Sequence, residues 1–124
     1  MRAPSLRTFS PDPLSRALAA HGLAADRREE ARRLAAGLLA RARSAEAAAA
    51  ERERLSRQAL QRGEEGWGLS LDDAARDARR TAAACRARLV AVEKELRRLA
   101  RAEQACLADL LGEISRFVAG VEGR

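Results

Sequence analysis

From Leu71 onward, apolar residues recur in alternating steps of four and three. They fall at Ala75, Ala78, Ala82, Cys85, Leu89, Val92, Leu96, Leu99, Glu103, Cys106 and Leu110. Eleven of the twelve positions are apolar, and only Glu103 departs. A repeat of 3.5 residues sustained over more than five heptads is the mark of a coiled-coil seam, because it keeps one stripe of an α-helix facing a partner. It predicts a long helix over 71–119, with Leu89, Val92, Leu96, Leu99 and Leu110 as its main packing residues. After Leu110 the next apolar residue, Ile114, is four residues on instead of three, which shifts the phase of the stripe.

A helix with one apolar stripe needs something to cover it. The stretch 26–62 supplies a second helix, interrupted only by Gly37, with Leu34, Leu38, Ala45, Ala48, Leu55 and Ala59 as its expected stripe and Arg41 and Arg52 as its flaws. Ala, Arg and Leu make up more than half of the 124 residues, and all three favour the helix. Tyr is absent and Ile114 is the sole isoleucine, so a sheet has no material to form from. Between the two long segments lies Gly63-Glu64-Glu65-Gly66-Trp67-Gly68-Leu69-Ser70. Its glycines predict a tip loop over 63–70, with Ser70 and Asp73 capping the helix that follows.

The fold expected is all-α: an antiparallel two-helix coiled-coil hairpin with a short N-terminal helix packed at its open end. Residues 1–12, which include Pro4 and Pro11, read as an extended arm. The hairpin domain then covers 13–124. Asp12 is expected as the N-cap and Pro13 as the first residue of a short helix over 13–22, with Gly22 ending it. That helix, through Leu14, Leu18 and Leu23, is expected to cover Leu107, Leu110, Leu111, Ile114, Phe117 and Val118. With the turn placed at Gly66, Ala48 should face Ala84, Leu38 should face Lys94, and Glu103 should meet Arg27 or Arg28.

Little here invites chemistry. His21 is the lone histidine, expected at a helix end, with no second ligand near it in sequence. Cys85 and Cys106 are 21 residues apart on one helix, about 31 Å, too far for an internal disulfide. Glu29-Glu30, Glu64-Glu65 and Asp72-Asp73 read as solvated charge. The sequence therefore predicts no enzyme, no catalytic residue, no metal and no cofactor, and no small-molecule substrate. The formal charge of +6 would suit an acidic partner such as nucleic acid. Against this, acids are interspersed with the arginines and aromatic stacking platforms are missing. No run is apolar enough to span a bilayer, and Met1–Ser10 holds no apolar leader, which places the chain in the cytoplasm.

Trp67, the single tryptophan, stands between two glycines at the tip. With Leu69, Glu64 and Glu65 it forms the candidate partner-binding surface, because tryptophan is enriched among interface anchors. Two readings of its side chain stand open: exposed, or folded back over Leu60 and Leu69.

The Arg-rich hairpin over Asp26–Leu111, with Gly66-Trp67-Gly68-Leu69 and Ser70-Leu71-Asp72-Asp73 at its tip, resembles the central stalk proteins of type III export, the flagellar protein FliJ and its virulence-system counterparts. The resemblance implies a non-catalytic coiled-coil adaptor or stalk that inserts into the ring of a secretion ATPase and contacts the export gate of a bacterial assembly. The alternatives are a small helical secretion chaperone or regulator that binds a client helix, and an Arg-rich nucleic-acid-binding protein. A homodimeric four-helix bundle is a further arrangement, suggested by Ala83, Ala87, Val90 and Ala91 outside the seam.

Overall fold

In the computed structural model, which describes residues 12–123, the protein is a helical hairpin of two packed α-helices. Helix α1 runs Pro13–Gln61 and helix α2 runs Glu65–Glu122. The proline-bearing arm falls outside the described residues, apart from Asp12.

The start of α1 is as the sequence predicts. The Asp12 carboxylate accepts a hydrogen bond from the Ser15 backbone N–H at 2.6 Å, and the Asp12 carbonyl accepts the first helical bond from Arg16. This N-cap satisfies one of the backbone donors that every helix start leaves open. The Ser15 N–H also holds the Asp12 carboxyl below its ordinary pKa.

No separate short helix follows. Gly22 lies inside α1, so the expected break over 22–26 does not exist. One interior glycine costs about 1 kcal/mol relative to alanine, and its neighbours His21, Leu23, Ala24 and Ala25 impose nothing further against the helix. The covering pattern also runs straight through it. Positions 14, 17, 21, 24, 28, 31, 35, 38, 42, 45 and 49 are all buried or half-buried and keep steps of three and four. A break at Gly22 would have thrown this stripe out of phase. His21 accordingly sits mid-helix on the half-buried stripe, not at a helix end.

The expected stripe on α1 holds at Leu38, Ala45, Ala48, Leu55 and Ala59, which are buried or half-buried, and fails at Leu34. Leu34 and Leu60 are exposed, while Ala42, Ala49 and Ala59 are buried. Leu38, at 2% exposure, is the one large side chain fully enclosed. On α2 the heptad reading holds. Leu71, Ala75, Ala78, Ala82, Leu89, Leu99 and Leu110 are buried, and Cys85, Val92, Leu96, Glu103 and Cys106 are half-buried.

The turn is shorter and earlier than the glycines predict. Helix α1 ends in a Schellman motif: the Glu64 N–H donates to the Ala59 carbonyl at 2.9 Å and the Gly63 N–H to the Leu60 carbonyl at 3.1 Å. Gly63 takes φ +78°, a conformation that costs a side-chain-bearing residue dearly and glycine nothing. The Glu64 carbonyl then accepts from Gly68, so α2 is under way by Glu65. Of the three tip glycines, only Gly63 is used for its backbone freedom. Gly66 and Gly68 are helical, and Ser70 is inside α2 instead of capping it.

Gly68 serves a different end. A Cβ there would come within 2.8 Å of the Leu60 side chain. Its bareness lets the helices meet directly after the turn, and the buried Ser56 hydroxyl donates across to the Gly68 carbonyl at 2.7 Å. A turn at Gly63 moves the opposing positions by about two helical turns. Leu38 comes level with Leu89, both buried, and Lys94 is exposed. The expected Leu38–Lys94 and Ala48–Ala84 oppositions fall away with the misplaced turn.

The hairpin divides into two units: Ala31–Glu95, which holds the turn, and the chain before Ala31 together with that after Glu95. They are called here the tip unit and the base unit.

Candidate partner-binding surfaces

In the tip unit the helices are joined by charge as well as by the alanine seam. Arg79 grips Glu53 with two nitrogens, at 2.9 and 3.2 Å, and Arg86 reaches Glu46 at 2.9 and 2.7 Å. Each residue stands one position past a seam residue: Ala45, Arg52, Ala78 and Cys85 respectively. Reversing a helix reverses its screw sense as seen from a fixed viewpoint, so positions one past the seam on two antiparallel helices fall on the same side. The two ion pairs are the direct result. Arg79 beside it holds the Glu53 carboxyl below the usual glutamate range, and Glu53 in turn raises the pKa of Arg79.

A shallow open groove lies elsewhere in the tip unit, floored by Ala45, Ala48, Ala78 and Cys85 and flanked by Arg41 and Arg52. Arg52 donates from its guanidinium to the Ala74 carbonyl at 3.4 Å. The exposed Arg52 thus lays its stem over the gap that its place in the seam would otherwise leave.

At the end of this unit, Trp67 is 59% and Leu69 60% exposed, on the first turns of α2. Of the two readings of Trp67, the exposed one holds. Glu64 and Glu65 are exposed beside them, so the four sequence-predicted tip residues share the turn region, though on a helix instead of a loop. Leu60, 45% exposed, completes the apolar part of the tip.

The base unit has a cross-helix ion pair, Arg28 to Glu103 at 3.0 Å, with side chains 39% and 22% exposed. The polar break in the heptad is met by Arg28, one of the two cations expected there. The covering role assigned to Leu18 and Leu23 is not fulfilled. Leu18 is 60% and Leu23 52% exposed, and Leu107, Leu111, Ile114, Phe117 and Val118 remain exposed as well. The reason is the uninterrupted course of α1. One straight helix covers one stripe of α2, whereas a folded-back segment would have covered a second.

An exposed apolar series at the base was not expected from sequence. Its signal was present as a second series, Leu107, Leu111, Ile114, Val118 and Val121, spaced four, three, four and three. It was absorbed into a core that a separate short helix was expected to complete.

Among the described residues, no three His, Cys, Asp or Glu side chains are grouped so as to hold a metal ion. Cys85 and Cys106 are free and half-buried. No helix among the described residues is long and apolar enough to cross a membrane. No family model matches the chain, and no curated protein or solved structure matches it either.

Proposed function

We propose that this chain is a non-catalytic adaptor, a helical hairpin that presents its tip to a protein partner. The reading is supported by one observation above all: Trp67 and Leu69 are more than half exposed on helix turns fixed by a three-residue connection. A large aromatic side chain held on ordered helical backbone leaves only its own rotamers to fix on docking, and tryptophan is among the residue types enriched at interface hot spots. Glu64 and Glu65 beside it favour a partner with a basic rim.

The finer version of this reading is a stalk in a bacterial type III export apparatus, whose tip enters the ring of a secretion ATPase or meets the export gate. Its support is the likeness of a tryptophan-bearing, Arg-rich hairpin to that family, together with a tip whose partners are not supplied by the chain itself.

The test is recovery of tagged chain from its native host, beside Trp67→Ala and Leu69→Ser variants. The adaptor reading expects a protein retained by the parent chain and lost from both variants while helical circular dichroism is unchanged. Retention of the same proteins by the variants would sink it. A recovered ring ATPase or export-gate component that binds the purified hairpin directly would establish the finer version, and a different class of partner would remove it.

A further inference from the structure

The geometry points to self-association: we propose that two copies of this chain pair through one face of the base unit, about a two-fold axis, each contributing two helices to a four-helix layer. The tip reading is independent of this.

The face is defined by the screw-sense argument, which the ion pairs Glu53–Arg79 and Glu46–Arg86 verify within the tip unit. In the base unit, the positions one past the seam are Leu18 and Ala25 on α1 and Leu107, Leu111, Ile114 and Val118 on α2. They lie on one side of the helix pair. The large members are 60%, 41%, 55%, 40% and 45% exposed, and Val121 continues the series at 55%. Gly22, between Leu18 and Ala25 on this face, has open space around its Cα. The face is thus apolar, two helices wide, and relieved on α1 by small residues that a neighbouring side chain can enter.

Its chemistry selects a second copy. A charged partner would need something to pair with, and from Gln104 to Val121 the face carries no charge, Glu29 and Arg97 being the charged residues one past the seam outside that stretch. Between Gln104 and Val121 the charged residues are Asp109, Glu113 and Arg116, and the last two pair with each other on α2. Aliphatic side chains of similar size at 3.5-residue spacing match themselves when related by a two-fold axis.

The area is also sufficient. At roughly 200 Å² for a fully exposed large side chain, the six residues leave on the order of 550 Å² of apolar surface per copy, at the upper end of the largest patch on an ordinary monomer. With flanking Ser15, Ala25, Ala108 and Ser115 it approaches the roughly 800 Å² per partner of a standard stable interface. In the tip unit four of the corresponding positions carry the two ion pairs, so charge interrupts the face there.

Sedimentation equilibrium of the full chain over a wide concentration range tests this. The expected result is a monomer–dimer equilibrium, with a dissociation constant raised by about thirtyfold or more in Leu111→Asp, as for loss of a central interface anchor. Helical circular dichroism should persist. The milder pair Leu111→Ser and Val118→Ser serves if the charged variant unfolds, and should weaken the dimer in the same direction. Trp67→Ala should leave the dimer unchanged, and tryptophan emission should not vary with concentration. A parent chain that stays monomeric throughout overturns the proposal, including where the same face proves to bind a client helix or lipid vesicles. So does a dimer that survives the Leu111 and Val118 substitutions or dissolves on losing Trp67.

Discussion

The tip unit closes with small side chains and the base unit leaves its large ones outside. Between Ala31 and Glu95, the buried set is chiefly alanine: Ala42, Ala49, Ala59, Ala75, Ala78 and Ala82, with Leu38, Leu71 and Leu89 among them. Two ion pairs span one side. Two helices with alanine between them have little apolar surface left to hide along the seam itself, and the large side chains exposed there, Leu34, Leu60, Trp67, Leu69 and Val90, stand outside it. In the base unit the seam keeps only Leu99 and Leu110 buried, while six large apolar side chains of α2 stay in contact with solvent. Leucine and phenylalanine carry more apolar surface than one neighbouring helix can cover. The difference teaches that a heptad seam reports which stripe is packed, and not whether the packing is complete.

The largest expected effect sharpens this contrast. Leu38→Ala, in the tip unit, should cost about 2–5 kcal/mol, the range for emptying an enclosed site. Leu111→Ala, in the base, should cost under about 1 kcal/mol at concentrations where the chain is monomeric, because an exposed side chain has little transfer free energy to lose. Urea unfolding followed by circular dichroism compares the two, and equal losses would break the distinction between the units.

Next comes the turn that belongs to the tip unit alone. Gly63→Ala should cost about 1–2 kcal/mol, because alanine must take up φ +78°. Gly63→Asn should recover much of it, and Gly66→Ala, on helical backbone with open space around it, should be neutral or stabilising. A neutral Gly63→Ala would contradict the Schellman geometry.

The ion pair of the base should contribute less. Arg28→Ala should cost about 1 kcal/mol or less, since both partners are partly solvated. Replacing both, as Arg28→Met with Glu103→Leu, should restore or raise the thermal midpoint, because it removes the polar break from the seam.

The smallest effect is the pH response of the tip unit. The Glu53 pKa is lowered in the folded chain by Arg79, so its contribution is fully present above the ordinary glutamate range and is lost as pH falls through the depressed value. Melting temperature should therefore decline on acidification below about pH 4.3. Glu53→Gln should flatten part of that decline, and an unaltered profile would show the pair to be without weight.

Much of this was legible from the residues alone. The α2 seam, the Asp12 cap, the hairpin and the Glu103–Arg28 match follow from periodicity, capping chemistry and reach, which are local properties or nearly so. The errors have one physical source. Gly22, Gly66 and Gly68 were read as breaks because glycine weakens a helix by a known amount, yet each sits where packing or unbroken backbone bonding outweighs that penalty. Gly63 is identical to them in composition and differs only in having φ above zero, which no residue count can reveal. The α1 stripe was legible too: Leu38, Ala45, Ala48, Leu55 and Ala59 are buried or half-buried as expected, and of the six only Leu34 is exposed.

The sequence by itself determined that this chain is helical, that it folds back once, and which stripe of α2 is packed, because backbone propensity and the 3.5-residue period act within a segment. Only the tertiary structure decided where the chain turns, and that Trp67 and the Leu107–Val121 series stay in solvent. Those outcomes depend on which side chains arrive opposite one another once the helices pair. A displacement of three residues in the turn changes every one of them while altering no local preference.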